Sequence, residues 1–194
     1  MTVAVELFPT PKASPALTRL RRLSLPFEGL FAVIAVLAAT LLAVILIGGA
    51  IPNPYLRIGP QGSYIAFSGM MAGTVPITDM LPGTRLVGAL AVTALFGSLA
   101  VAMWSLRGLF AGYRRGEVFT AASVSAMRRA GAGLIVFALA PALSQPVLRA
   151  AGSLDRAWFH GHSIAALIAG AALFVFAAVF ALGQEIAREA EGYI

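Results

Sequence analysis

The chain has 194 residues, of which 59% are hydrophobic and 11% are charged, whereas about 25% of the residues of an ordinary soluble domain are charged. It contains no cysteine, which excludes disulfides, thiolate metal sites and thiol catalysis. A net charge of +6 would favour nucleic-acid binding in a soluble protein, but these arginines flank apolar runs, which is typical of membrane topology and anionic-lipid contact.

Four long apolar runs determine the predicted fold class. Each run lacks acidic and basic residues and is close to the roughly 20 residues that a helix needs to cross a bilayer core about 30 Å thick. The runs cover residues 29–51, 86–106, 130–148 and 163–184. Because the connections are short, consecutive helices should lie side by side. The sequence therefore predicts an all-α membrane protein, an antiparallel four-helix transmembrane bundle in one domain, residues 29–184.

Residues 1–28 form the predicted cytoplasmic N-terminal segment. Four basic residues precede the first apolar run, as in a signal peptide, but the run is longer than the roughly 7–15 residues of a cleaved signal. A retained signal anchor is therefore predicted. Three prolines (Pro9, Pro11 and Pro15) predict an extended or disordered backbone up to about Leu17.

The distribution of Lys and Arg predicts the orientation. Ten of the 14 basic residues lie in the N-terminal segment, the 107–129 connection and the C-terminal tail, and four lie in the other two connections. Since cytoplasmic loops are enriched in basic residues, both termini and the middle connection are predicted to be cytoplasmic.

The first connection, residues 52–85, is predicted to lie outside. Residues 55–58, 59–62 and 63–67 have the pattern of strand, turn and strand, which predicts a small extracytoplasmic β-hairpin. An isolated hairpin is only marginally stable in water, so the hairpin should rest on the outer end of the bundle. It is interpreted as a covering loop, with a ligand or partner lid as the alternative.

The connection at residues 107–129 carries the most specific local pattern in the chain. Apolar residues at helical spacing continue the second helix to about Arg115. Gly116 suits the left-handed conformation that ends a helix, and Thr120 suits the N-cap of the next one. The connection is therefore predicted to be a helical hairpin that projects a basic, partly apolar tip into the cytoplasm.

This tip has two interpretations. In the first, its basic residues fix topology and bind anionic lipid, at about 1 kcal/mol each near the surface. In the second, the tip docks a cytoplasmic protein, because it holds more apolar surface than orientation requires. The candidate docking residues are Phe110, Tyr113, Arg114, Arg115, Phe119 and Thr120. Direct nucleic-acid contact is not expected, since the tip is short and no nucleic-acid-binding motif accompanies it.

The third run contains Pro141, Ser144, Gln145 and Pro146. The prolines predict a kink, and the polar residues either satisfy the carbonyl groups that the kink frees or line a polar path. A transport or efflux component is the alternative function that this path would serve. The absence of an ionisable residue at the centre of any run argues against a proton-coupled carrier.

Catalysis and metal binding have little support in the sequence. His160 and His162 stand close to Asp155, but two or three ligands make a weak metal site, and interfacial residues beside Trp158 are the ordinary interpretation. No nucleophile elbow, zinc-protease helix, phosphate-binding loop or dinucleotide fingerprint is present. The sequence predicts neither an enzyme nor a cofactor.

The last residues, 185–194, form a predicted acidic cytoplasmic tail that continues the fourth helix. Its glutamates are expected to pair with Arg114, Arg115 or Arg128 as an intramolecular clasp. Small residues on the spans permit close helix approach, either inside the bundle or in a homo-oligomer. They include Ala35, Ala38, Ala39, Ala43, Gly131, Gly133, Ala166 and Gly170.

Two segments carry a resemblance to a known family. The run LRGLFAGYRRGEVFTAASVSAMRRAG, between the second and third spans, and the ending FALGQEIAREAEGYI resemble the signatures of the domain-of-unknown-function 2975 family of bacterial four-span membrane proteins. The chain length, the four spans and the position of the first segment match that family too, so the resemblance covers most of the chain, and it implies a bacterial inner-membrane location. It also implies a partner, because members of that family are often similar to the membrane halves of pairs whose other half is a small helix-turn-helix regulator.

The combined expectation is a non-enzymatic regulatory or scaffolding membrane protein. Its partners would be membrane lipids and a cytoplasmic protein, a helix-turn-helix transcription regulator if the resemblance holds, engaged through the 107–129 hairpin.

Overall fold

The computed structural model describes residues 15–52, 54–59, 62–65, 74–150 and 161–191. Its long elements are helices, with bounds α1 Pro15–Ala50, α2 Pro82–Val92, α3 Ser98–Arg115, α4 Ala121–Ala150 and α5 Gly161–Glu191. A π-helical turn, Thr93–Gly97, joins α2 to α3 without a break, so Pro82–Arg115 is one continuous helix.

Four helices in the described part of the chain are long and apolar enough to cross a membrane. This confirms the four-helix membrane fold that the apolar runs predict. Each helix continues beyond its apolar run, because a helix satisfies its own backbone hydrogen bonds in lipid and in water alike. The start of α1 at Pro15 differs from the expectation of an extended or disordered chain up to about Leu17.

The helices pack in sequence order, α1 against α3, α3 against α4, and α4 against α5. Glycines allow the closest approaches. A Cβ on Gly133 would lie 2.8 Å from the Ser98 carbonyl oxygen of α3, and one on Gly170 would lie 2.9 Å from the Gly131 carbonyl oxygen of α4. Gly131, Gly133 and Gly170 therefore serve contacts inside the bundle. On α1, Ala35 is buried in the core whereas Ala39 is exposed.

A small sheet lies at the end of α1. Strands β1 (Leu56–Gly59) and β2 (Gly62–Ile65) form the predicted antiparallel hairpin, and a third strand, β3 (Val75–Pro76), pairs with the other edge of β1. The third strand was not predicted. A short 3-10 turn after it rests on α1, with the Ile77 methyl 3.7 Å from a Cβ built on Gly49.

The bundle thus has two distinct ends. The basic end holds the starts of α1 and α4 and the ends of α3 and α5. The sheet end holds the opposite helix termini and the three strands. Buried apolar side chains of α1, α3, α4 and α5 form one cluster that extends from the middle of the bundle to the basic end.

Candidate functional site

The tip of the α3–α4 hairpin ends α3 as predicted. Gly116 has φ 87°, in the left-handed region that only glycine adopts easily. Its N–H donates to the Tyr113 carbonyl, and the Glu117 N–H donates to the Gly112 carbonyl, each at 3.0 Å. These two bonds form a Schellman motif, which satisfies the last carbonyls of the helix. The chain direction at the tip is therefore fixed by backbone geometry.

Thr120 begins α4 as predicted. Its hydroxyl oxygen accepts a hydrogen bond from the Ser123 N–H at 3.2 Å, the geometry of a side-chain N-cap. The Ser123 hydroxyl in turn donates to the Glu117 carbonyl at 3.3 Å. Thr120 thus stabilises the hairpin as the N-cap of α4.

A chain of aromatic rings connects the helices beneath the tip. This aromatic junction consists of Phe27 and Phe31 from α1, Phe110 and Tyr113 from α3, Phe119 from the tip, and Phe180 from α5. Successive ring centroids are 5.0 to 6.5 Å apart, a range in which aromatic pairs attract one another. The junction therefore joins three helices and the tip into one packed unit.

The junction changes the interpretation of the candidate docking residues. Tyr113 is 9% exposed and belongs to the core cluster, and Phe110 is half-buried against it. Phe119 keeps 58% of its surface exposed. The apolar surplus that favoured a docking surface is therefore largely internal packing. At the tip, the exposed members of the predicted set are Arg114, Arg115 and Phe119.

The two segments that carry the family resemblance meet at this place. The Phe119 ring lies 5.0 Å from the Phe180 ring, and its edge would be 3.4 Å from a Cβ on Gly183. Phe180 and Gly183 belong to the ending segment, whereas Phe119 belongs to the hairpin segment. A Cβ at position 183 would be in van der Waals contact with the Phe119 ring, so the hairpin segment packs directly on the end of α5.

Ion pairs at the basic end differ from the predicted clasp. The Arg114 Nε lies 3.0 Å from the Glu28 Oε2 of α1, as an electrostatic contact without an aligned hydrogen bond. Arg115 donates from Nε and Nη2 to the two carboxylate oxygens of Glu117, at 3.1 and 3.0 Å. The prediction that the tail glutamates neutralise Arg114 and Arg115 is therefore wrong, because acids on α1 and in the tip itself lie closer.

The ion pair between Arg115 and Glu117 also shifts the pKa of the glutamate. The hydrogen bond from Arg115, together with the charge of that residue, lowers the pKa of the Glu117 carboxyl below its ordinary value. Both side chains remain about half exposed, so water screens the attraction.

Sequence reasoning missed two residues of this end. Glu28 precedes the first apolar run and was not singled out, yet its side chain is 14% exposed and contacts α3. Arg21 reaches the tip, with Nη2 3.0 Å from a Cβ built on Gly116. A pairing signal exists for Glu28, since it is the acid that follows the basic N-terminal residues directly before the first apolar run.

The remaining polar candidates lie nearer the sheet end. The Ser144 hydroxyl donates to the Pro141 carbonyl of its own helix at 3.4 Å, which is the local satisfaction expected beside a proline. Gln145 is 5% exposed. The His162 ring packs on Phe137 with centroids 5.9 Å apart, while His160 lies outside the described residues. Within the described ranges, no three metal-ligating side chains come together.

Comparisons with known families, with curated proteins and with solved structures find no match to this chain.

Proposed function

We propose that this chain is a multi-pass protein of the bacterial inner membrane with both termini in the cytoplasm, and that it acts as a regulatory or scaffolding protein rather than an enzyme. Its partner is a cytoplasmic protein that binds the tip of the α3–α4 hairpin through an acidic surface. The resemblance to the domain-of-unknown-function 2975 family favours a helix-turn-helix transcription regulator as that partner.

The exposure of three side chains on a rigid tip carries the proposal. Arg114 and Arg115 expose 50% and 58% of their side chains, and Phe119 is 58% exposed. The Schellman motif and the Thr120 cap hold these residues in place, so binding orders little chain and loses little entropy. Arginine and aromatic residues, including phenylalanine, are enriched at protein interfaces.

The charge of the basic end supports the orientation. Helix-flanking arginines are concentrated there, and the enrichment of basic residues on the cytoplasmic side is the rule for short connections. A reporter enzyme that works only in the cytoplasm should therefore be active when it is fused after Ile194. A reporter that works only in the periplasm should be inactive at the same position. The reverse result would reject the orientation and, with it, a cytoplasmic partner.

Site-specific photo-cross-linking in cells tests the docking surface. A photoreactive phenylalanine analogue at position 119, which keeps both arginines, should give one protein adduct, identified by mass spectrometry as a helix-turn-helix regulator. The control places the same residue at Val136 of α4, which is 47% exposed on an apolar span and should give no protein adduct. Equal adducts at both positions, or none at position 119, would contradict the proposal.

A charge variant separates specific docking from proximity. Replacing Arg114 and Arg115 by glutamine should abolish the adduct formed from a photoreactive residue at Phe119. Replacing Arg22, an exposed arginine of α1, should leave it unchanged. Loss of the adduct in both variants would show that total charge, rather than the tip, determines the association.

A further inference from the structure

A basic groove opens between α3 and α4 on the side of the hairpin, below the tip. Its volume is about 290 Å³, and its charged lining consists of Arg107, Arg115 and Arg129 against the single acid Glu117. Arg107 and Arg129 stand next to the limits of the second and third apolar runs, at 106 and 130. The two guanidinium groups therefore lie at the depth where the apolar part of the bundle gives way to its polar end.

An apolar groove of about 400 Å³ continues from the basic one. The two share Trp104, Ser105 and Arg129. The rest of its lining is apolar and comes from α1 and α3, namely Ala35, Val36, Ala39, Ala100 and Val101. Val36, Val101 and Trp104 are each more than half exposed, so the groove faces the surroundings of the bundle.

Trp104 marks the boundary between the two parts. The Arg107 guanidinium carbon lies 4.4 Å from the Trp104 ring centroid, a cation–π contact that orients the guanidinium group. Tryptophan prefers the membrane–water interface, where its ring meets acyl chains and its N–H meets polar groups. The polar half of the groove and its apolar half thus meet at an interfacial residue.

We propose that this two-part groove binds one anionic phospholipid. The headgroup phosphate lies between Arg107 and Arg129, since guanidinium groups match phosphate oxygens in charge and geometry. One acyl chain lies along the small side chains of α1 and α3, which leave room beside Trp104. A free phosphate would occupy the basic half alone. A protein segment bound in the basic half would leave the apolar half, which faces the surroundings of the bundle, unfilled.

Lipid retention in native mass spectrometry tests the charged half. The full-length protein in mild detergent should retain phosphatidylglycerol in preference to phosphatidylcholine. Arg129→Gln and Arg107→Gln should each lower phosphatidylglycerol retention about fivefold, the effect of one arginine near a membrane surface. The matched control is Arg128→Gln, which removes the same charge from the adjacent position, outside both groove linings, and should retain lipid like the wild type.

A steric variant tests the groove without changing charge. A Cβ on Gly108, in the lining of the basic half, meets nothing within 4 Å, so Gly108→Leu adds its side chain to open space in the groove. We expect this variant to lose phosphatidylglycerol and to keep its melting temperature in detergent. Gly29→Leu is the control, because Gly29 is an exposed helical glycine with equally open space, outside both grooves.

Three outcomes would overturn the proposal. Equal loss in Arg128→Gln and Arg129→Gln would indicate a diffuse basic surface. Unchanged retention in Gly108→Leu would place the lipid elsewhere. Displacement of phosphatidylglycerol by inorganic phosphate at equal concentration would show that the site binds the anion and that the acyl chain does not contribute to binding.

Discussion

The two ends of the bundle use arginine in different ways. At the sheet end, Arg57 is 7% exposed and donates to the hydroxyl and the carbonyl oxygen of Thr74, each at 2.8 Å. Arg85 donates to the Gly49 carbonyl in the last turn of α1. At the basic end, Arg114 and Arg115 are at least half exposed and pair with carboxylates. Arg57 and Arg85 thus bind neutral oxygens at one end, whereas Arg114 and Arg115 form exposed ion pairs at the other.

This difference bears on the orientation argument. A count of basic residues gives ten against four and treats every arginine alike. Two of the four sheet-end arginines, Arg57 and Arg85, are engaged with carbonyl oxygens. A carbonyl oxygen leaves the charge of a guanidinium group in place, whereas the carboxylates of Glu28 and Glu117 offset the charges of Arg114 and Arg115. The folded structure therefore adds nothing to the count of basic residues, on which the proposed orientation rests.

Replacement of Arg57 should produce the largest effect. Arg57→Leu removes two charge-assisted hydrogen bonds from a buried side chain to Thr74, which should cost about 3 kcal/mol of sheet stability. Faster proteolysis within residues 52–81 measures the loss. The matched basic-end variant, Arg128→Leu, should change stability by no more than about 0.5 kcal/mol. Equal effects of the two variants would abolish the distinction between the ends.

An intermediate effect is expected at the ion pair between α1 and α3. Arg114→Gln leaves the largely buried Glu28 carboxylate without its cation, whereas Glu28→Gln leaves a half-exposed arginine in water. The free energy of unfolding of Arg114→Gln should therefore fall by about 1 kcal/mol, which is more than the fall in Glu28→Gln. Thermal unfolding in detergent measures both. The double variant should be more stable than Arg114→Gln alone, and a double variant that is less stable would rule out this account.

The smallest effect is expected at Glu117. Because Arg115 lowers the pKa of the folded carboxyl, the pair contributes stability above the unfolded pKa and loses it as the pH falls through the folded one. Glu117→Gln should melt slightly below the wild type at pH 7, and the difference should vanish in acid, below the ordinary value of about 4.3. A difference that persists in acid would mean that packing, rather than charge, stabilises the tip.

The hairpin shows which parts of the site were predictable. Gly116 and Thr120 act on backbone groups within a few residues, so their roles as helix stop and N-cap follow from local sequence. The clasp prediction failed for Arg114 and Arg115 because it required a choice between acids distant in sequence, and Glu28 and Glu117 lie closer to these two arginines. The π-helical turn at Thr93–Gly97 and the pairing of β3 had no local signal either.

The sequence by itself determined the number of long apolar helices, their order and the position of the hairpin turn, because helix length in lipid and capping in water are local requirements. Only the tertiary structure decided which apolar side chains face inward. In a soluble protein, polar periodicity separates the core from the surface, but lipid is as apolar as the core, so both sides of a span carry similar residues. Tyr113 and Trp104 illustrate this, since one is buried in the aromatic junction and the other is half exposed beside the groove.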